Sequence, residues 1–341
     1  MKKLLLLLTM AIMVIGLVAG CGKSADNGGD KKSGTIGFSV STLNNPFFVT
    51  MKEGVEAQAK ALGLKVKIVD AQNDPAKQAN DISDLLESGV SVLIINPVDS
   101  AAISTSVEAA NAKNIPVITV DRSADKGKVV AHIASDNVKG GEMAAQLIAE
   151  KVGKAAKVAE IEGIPGASAT RERGQGFHNV ADKDLTVVAK QSADFDRTKG
   201  LNVATNILQA NPDVQAIFAH NDEMALGAIQ AAKSAGKTIF IVGFDGTADA
   251  DKAVKDGTLA ATIAQQPDQM GKIAIDTAQK VIKGEAVEAK IPVDLKVVTK
   301  KIKIEREKKK GPLLWMRLFL FWLSFQKFFE KLNKLWQICL I

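Results

Sequence analysis

Several apolar runs in this chain stop abruptly at residues that can both donate and accept hydrogen bonds. One is followed by Ser41-Thr42-Leu43-Asn44-Asn45-Pro46-Phe47-Phe48, another by Asn96-Pro97, and a third by Asp121-Arg122. Further on, such runs end at Asn221-Asp222-Glu223, at Phe244-Asp245-Gly246 and at Gln265. Asn and Gln offer both halves of a hydrogen bond, and Asp and Arg add charge-assisted ones of about twice the strength. Phe47 and Phe48 supply flat apolar faces. A neutral polyol uses all of these at once, because its hydroxyls need donors and acceptors and its C–H face needs an apolar partner.

Each residue alone has a plainer explanation. Asn and Asp after a strand commonly cap helices or form turns, which is the expectation for Asn44, Asp222 and Ser100. Adjacent phenylalanines cannot share one side of a helix, so Phe47 or Phe48 could pack inward, and Asp121-Arg122 could be a structural ion pair. The case rests on convergence at one end of the sheets.

The elements that would bring these residues together are short β-branched runs alternating with amphipathic stretches. The strands are expected at 35–41, 65–70, 91–96, 116–121, 129–134, 157–163, 186–191, 215–220, 238–244, 259–264 and 294–299. Most are continuously apolar, as parallel strands buried on both faces are. Helices are expected at 46–62, 75–88, 100–113, 137–152, 197–210, 221–235 and 267–283, with Ser100 and Asp196 as N-caps, Pro46 in a first turn, and Gly63 and Gly236 at C-termini. Strands alternating with helices predict an α/β fold, and two sets of them predict two Rossmann-like doubly wound lobes that divide near 134–137. In such sheets ligands bind beyond the C-terminal ends of the strands.

The ends of the chain differ in kind from this body. Met1-Lys2-Lys3 and the apolar run Leu4–Val18 read as an export signal over residues 1–20. Leu17-Val18-Ala19-Gly20-Cys21 resembles the lipobox of bacterial lipoproteins, which implies lipid on Cys21 and an exported protein anchored to the outer face of the cell membrane. Residues 21–33 then form a polar, Gly-rich tether. Cys339 is the other cysteine, so no disulfide framework is implied. Residues 301–341 hold ten Lys/Arg against three Asp/Glu, all three Trp and five of the thirteen Phe. That surplus of seven positive charges against a whole-chain +6 leaves the rest at −1, so the body has no claim to bind nucleic acid. The basic, aromatic tail fits no part of the repeat and reads as a translated frameshift or sequence error. The alternative is an interfacial helix with Phe328, Leu332, Leu335, Trp336 and Cys339 on one face.

Motifs for catalysis fail. Ala235-Gly236-Lys237-Thr238 lacks the first glycine of a phosphate loop and runs from helix to strand. Gly174-Gln175-Gly176 lacks the third glycine of a dinucleotide fingerprint. His132, His178 and His220 have no metal-ligand spacing, and no Ser or Cys sits on a nucleophile elbow. The reading is a binding protein without enzyme activity, metal or cofactor.

The segments STLNNPFF (41–48), INPVDS (95–100), PVITVDR (116–122), HIASDNV (132–138), RERGQGF (171–177), ADFDR (193–197), NDEMALGA (221–228), VGFDGT (242–247) and ATIAQQPDQ (261–269) resemble the bacterial D-ribose-binding family across about 35–299. The resemblance implies a type I periplasmic binding protein fold, with three crossover strands as a hinge, and a monomer that hands ribose to the permease of an ABC importer. It implies a first lobe of 34–135 plus 266–294 and a second of 136–265 plus 295–300. It also implies sugar contacts from Ser41, Asn45, Phe47, Phe48, Asn96, Asp121 and Arg122 in the first lobe, and from Arg173, Phe195, Asn221, Phe244, Asp245 and Gln265 in the second lobe and hinge, with Phe195 and Phe244 completing an aromatic sandwich. A receptor for another sugar, such as allose, galactose, xylose or a furanosyl signal molecule, would keep the same fold. A sugar-responsive transcription regulator would need a helix-turn-helix where this chain carries its signal.

Overall fold

The computed structural model describes residues 34–300. The signal, Cys21, the tether and the tail 301–341 lie outside the described residues.

The first run of elements is β1 (Thr35–Val40), α1 (Pro46–Leu62), β2 (Lys65–Asp70), α2 (Pro75–Glu87), β3 (Val92–Ile95), α3 (Ser104–Ala112), β4 (Val117–Val120) and β5 (Ala131–Ser135). The second is α4 (Asn137–Lys151), β6 (Lys157–Glu162), α5 (Ser168–Asp184), β7 (Thr186–Ser192), α6 (Arg197–Ala210), β8 (Ala216–Ala219), α7 (Asp222–Ser234), β9 (Phe240–Asp245), α8 (Ala248–Asp256) and β10 (Ala261–Ala264). Three elements follow: α9 (Pro267–Lys283), β11 (Lys290–Val293) and β12 (Lys296–Thr299).

They form two six-stranded sheets, ordered β11-β5-β4-β3-β1-β2 and β12-β10-β9-β8-β6-β7. Every pairing is parallel except the edge pair β10–β12. The chain passes between the sheets three times, after β5, after β10 and after β11. The α/β class and the pair of doubly wound sheets are as the periodicity predicts. The central strands β3 (VLII), β4 (VITV) and β8 (AIFA) are buried along their whole length, which is why they carry no polar alternation.

Helices cover both faces of each sheet. Phe38, Val92 and Ile94 of the first sheet pack with Met51 and Val55 of α1 and Ala274 and Ile275 of α9. On its other face Leu93 and Ile95 pack with Ile82 and Leu85 of α2 and Val107 of α3. Three helix pairs approach so closely that each crossing is lined by glycines. Gly54 and Gly271 face the backbone across α1–α9, Gly141 and Gly176 across α4–α5, and Gly200 and Gly227 across α6–α7. A Cβ at any of these positions would collide with the partner helix.

Several elements depart from the sequence expectations. β11 contains Pro292, which argues against a strand, but it lies on a sheet edge where proline is tolerated. α5 holds Gly174 and Gly176, and its glycines hide the helical pattern although Gly176 is what lets α4 approach. The nine-residue α8 was also not expected. Asp196 does cap its helix, accepting from Lys199 N at 2.7 Å, and Gly63 closes α1 at φ 66°. Ser100 is not a cap, because α3 begins only at Ser104. Asp222 is not one either: Asn221 caps α7 in its place, accepting from Met224 N at 3.0 Å.

Candidate functional site

The C-terminal ends of the two sheets face each other across a cleft. A tight pocket lies between them, lined by Asn45, Phe47, Phe48, Asp121, Arg122, Ala169, Arg173, Phe195, Asn221, Asp245 and Gln265.

Local chemistry explains each placement. The Asn45 side chain accepts from Phe47 N at 2.9 Å and caps α1, so the first turn of α1 presents both phenylalanines. Their rings meet edge to face at 5.1 Å, and both line the pocket, which removes the concern that one must turn inward. Asp121 ends β4 at φ 63°, and Arg122 N donates to Val120 O at 2.7 Å. This i-to-i+2 bond closes a γ-turn in an uncommon conformation. It turns the Asp121 and Arg122 side chains into the cleft. Phe195 (φ 60°) and Asp245 (φ 122°) also sit at positive φ. Such strain costs on the order of 1–3 kcal/mol per residue and clusters where ligands bind.

Charge is concentrated and almost dry. Arg122 Nε lies 3.6 Å from Asp121 Oδ2, and Arg173 Nη1 lies 3.7 Å from Asp245 Oδ1, with all four side chains at most 4% exposed. Burial pulls the Arg122 guanidinium down to about 10, with Asp121 opposing and Arg173 adding to the pull, so it stays cationic at neutral pH. Burial also holds the Asp245 carboxyl well above the usual carboxylate range, against the pull of Arg173. The Arg122 guanidinium carbon stands 5.1 Å from the Phe48 ring centre and 5.0 Å from that of Phe195.

Within this wall Asp121 Oδ1, Arg122 Nε and Gln265 Oε1 are buried and have no hydrogen-bond partner in the protein. Gln265 commits its amide to Asp245 Oδ1 at 2.9 Å and leaves the carbonyl free. The wall therefore offers one donor and two acceptors beside aromatic faces. A buried polar group left unpaired costs ~1–3 kcal/mol. A ligand with several hydroxyls relieves that cost, whereas an apolar one does not.

Three expected contact residues lie behind the wall. Asn96 donates to Asp121 Oδ2 at 3.2 Å and to Val120 O at 3.1 Å, and its Oδ1 accepts from Ser41 N at 3.1 Å. Asn96 and the Ser41 backbone thus brace the β4 turn. Phe244 is fully buried, with its ring under the Arg173 guanidinium and not in the pocket lining. The packing of β9 against α4 directs it there, since Gly140 leaves the space its ring occupies.

Other residues in the arrangement escaped the sequence. Ala169 lines the pocket, and nothing in its type could have marked it. Asn137 accepts from Arg173 Nε at 2.9 Å. It lies inside HIASDNV, where it looks only like a helix start. Buried Gln78 donates to Asn96 O at 2.9 Å and accepts from Val98 N at 2.8 Å. Outside the pocket the lobes touch directly. Ser168 N donates to Ser100 Oγ at 3.1 Å, Ser123 N donates to Ser168 Oγ at 2.9 Å, and Ser100 N donates to Gly166 O at 3.0 Å.

Among the described residues no cluster of His, Cys, Asp or Glu is placed to hold a metal ion, and no helix is long and apolar enough to cross a membrane.

Comparison with known proteins gives one consistent answer. A family model described as periplasmic binding protein domain matches residues 36–286. The chain is 62% identical over 275 residues to the ribose import binding protein of Bacillus subtilis (strain 168), covering 81% of this chain and 90% of that one. It is 55% identical over 300 residues to the ribose import binding protein of Haemophilus influenzae, covering 88% and 100%. Among solved structures, an ABC transporter solute binding protein from Mycobacterium smegmatis with bound glycerol superposes with a TM-score of 0.76 at 36% identity, covering 79% of this chain and 94% of that one.

Proposed function

The chain belongs to the periplasmic binding protein domain family, and from that premise we infer that it is the D-ribose receptor of an ABC importer. It is a solute-binding receptor and not an enzyme. The observation that carries the ligand class is the set of unpaired groups in the pocket wall, Asp121 Oδ1, Arg122 Nε and Gln265 Oε1, set between aromatic rings. The likeness to ribose import binding proteins selects ribose among the polyols.

The roles follow from chemistry. Asn45, Asp121, Arg122, Arg173, Asn221, Asp245 and Gln265 bind the hydroxyls. Phe47, Phe48 and Phe195 pack on the C–H faces of the ring, while Ser41, Asn96 and Phe244 hold the binding groups in place. A sugar with one hydroxyl missing or inverted leaves a buried partner unpaired, at ~1–3 kcal/mol each. The lobes are 34–135 plus 266–294 and 136–265 plus 295–300. They close about the three crossovers, with the Ser100–Ser168 bonds forming as they meet. The closed protein, a monomer, is what the permease receives. Export by the segment 1–20 and a lipid on Cys21 would keep it at the outer face of the membrane, beside that permease.

Calorimetric titration of the protein with D-ribose and a panel of its epimers tests this reading. One-to-one binding strongest for ribose is expected. Binding of a different sugar alone would overturn the ligand, and binding of none would overturn the pocket.

A further inference from the structure

Behind the second-lobe wall of the pocket lies a fully buried carboxylate, Glu160 of β6. Its Oε1 meets Nε2 of His220 at 2.9 Å, and its Oε2 meets Nε2 of His178 at 2.9 Å. His178 sits on α5 at the surface, and its Nδ1 meets Asp182 Oδ1 at 2.7 Å. Lys190 of β7 stands 3.8 Å from Glu160 Oε2 and 3.0 Å from Glu162 Oε1. At the inner end the His220 backbone carbonyl accepts from Arg173 Nη1 at 2.6 Å. A chain of short contacts therefore runs from solvent, through Asp182, His178, Glu160 and His220, to an arginine in the pocket wall.

The two imidazoles differ in kind. His178 faces a carboxylate with each ring nitrogen, and only the doubly protonated ring donates to both. Burial pulls its pKa down, but the hydrogen bonds and charges of Asp182 and Glu160 outweigh that and hold it above its ordinary value. His220 is fully buried and has a carboxylate on Nε2 alone, while its Nδ1 has no partner. A second N–H there would be stranded, so His220 is neutral and carries its proton on Nε2. Burial lowers its pKa accordingly. Burial alone would raise Glu160, but His220, Lys190 and His178 keep it ionised.

We propose that His178, Glu160 and His220 form a proton-sensitive prop that positions Arg173, so that sugar affinity weakens as His178 loses its proton. None of the three lines the pocket, so they are positioning residues. The charged groups facing the prop are Glu162, Asp182, Lys190 and Arg173. The affinity part of the proposal rests on the ribose-receptor reading, while the prop itself does not.

The experiment compares the full protein with His178→Gln between pH 5.5 and 9, by ribose calorimetry and by NMR of the histidine rings and the Arg173 Nε–H. The Kd ratio of variant to parent is expected to be about five at the acid end and about one at pH 9. Asp222, bonded to Thr247 and Thr262 and outside the prop, titrates in both proteins and cancels in the ratio. A ratio that stays constant with pH overturns the proposal. Independently of sugar, His178 is expected to titrate above its ordinary value, to drop in Glu160→Gln and in Asp182→Asn, and to carry the Arg173 resonance with it. A His178 titration unmoved by those variants, or an Arg173 signal indifferent to it, overturns the prop. Absence of ribose binding with these NMR shifts present would overturn the receptor reading and leave the prop supported.

Discussion

The guanidinium carbon of Arg173 lies 3.8 Å from the centre of the Phe244 ring. Phe244 is thus a floor for the arginine, and the arginine stands between it and the pocket. A cation over an aromatic face contributes ~0.5–1 kcal/mol when exposed and ~2 or more when desolvated. Phe244→Leu keeps an apolar side chain in the core but removes the π face. Its ribose affinity is expected to fall about three- to thirtyfold by calorimetry, with the circular dichroism of the fold unchanged. Unchanged affinity would mean that Asn137 and the His220 carbonyl alone hold Arg173.

Arg122 is flanked by Phe48 and Phe195 and neighboured by Asp121. Lysine keeps the charge but cannot stack or reproduce the planar fork. Arg122→Lys is expected to lose at least about a hundredfold in ribose affinity while remaining folded. Asp121→Ala leaves a buried guanidinium without its carboxylate, a defect of ~3–5 kcal/mol. It should therefore lower the urea midpoint as well as abolish binding. Equal urea midpoints for the two variants would contradict the pairing.

Gly163 follows β6, and the Phe195 ring lies where its Cβ would be. Alanine is compatible with the backbone there, so Gly163→Ala acts by displacing the ring. Affinity is expected to drop roughly tenfold, the equivalent of ~1.4 kcal/mol. A crystal structure would show Phe195 turned out of the pocket. Retention of full affinity would remove Phe195 from the ring-packing set.

Asp222 is buried and accepts from Thr247 N at 2.8 Å, Thr247 Oγ1 at 3.1 Å and Thr262 Oγ1 at 2.7 Å. Burial, only partly offset by those bonds, raises it from 3.8 to about 7. The unfolded chain gives up this proton first. Its stabilising contribution is therefore full below pH 3.8 and is lost as pH rises through about 7. The thermal midpoint is expected to fall between pH 5 and 8, and to fall less in Asp222→Asn, which cannot ionise. Parallel curves for the two proteins would show that Asp222 is already ionised when folded.

Strand ends and buried runs could be placed from sequence because a fully buried parallel strand has no polar residue until it leaves the sheet. That is why Asp121-Arg122, Asn221 and Gln265 stood out at the ends of β4, β8 and β10. Phe195 lies in a loop, and a phenylalanine in a loop has no periodicity to betray it; only family resemblance pointed to it. For Phe244 the sequence cannot say whether an aromatic at a strand end faces the ligand or the group that holds the ligand. Ser100 illustrates a third kind of gap. Its partner Ser168 is distant in the chain and meets it only because two lobes come together.

The crossing of α1 and α9 at Gly54 and Gly271 also bears on the order of assembly. The strands β6 to β10 and their helices form one unbroken stretch of chain, lacking only β12 at the sheet edge. The sheet that begins the described chain must wait for α9 to cover it and β11 to complete it. Contacts between such distant segments close long loops and form slowly. During synthesis from the N-terminus, the half that emerges first thus stays uncovered on one face until the whole of the other half's continuous stretch, β6 to β10, has been made.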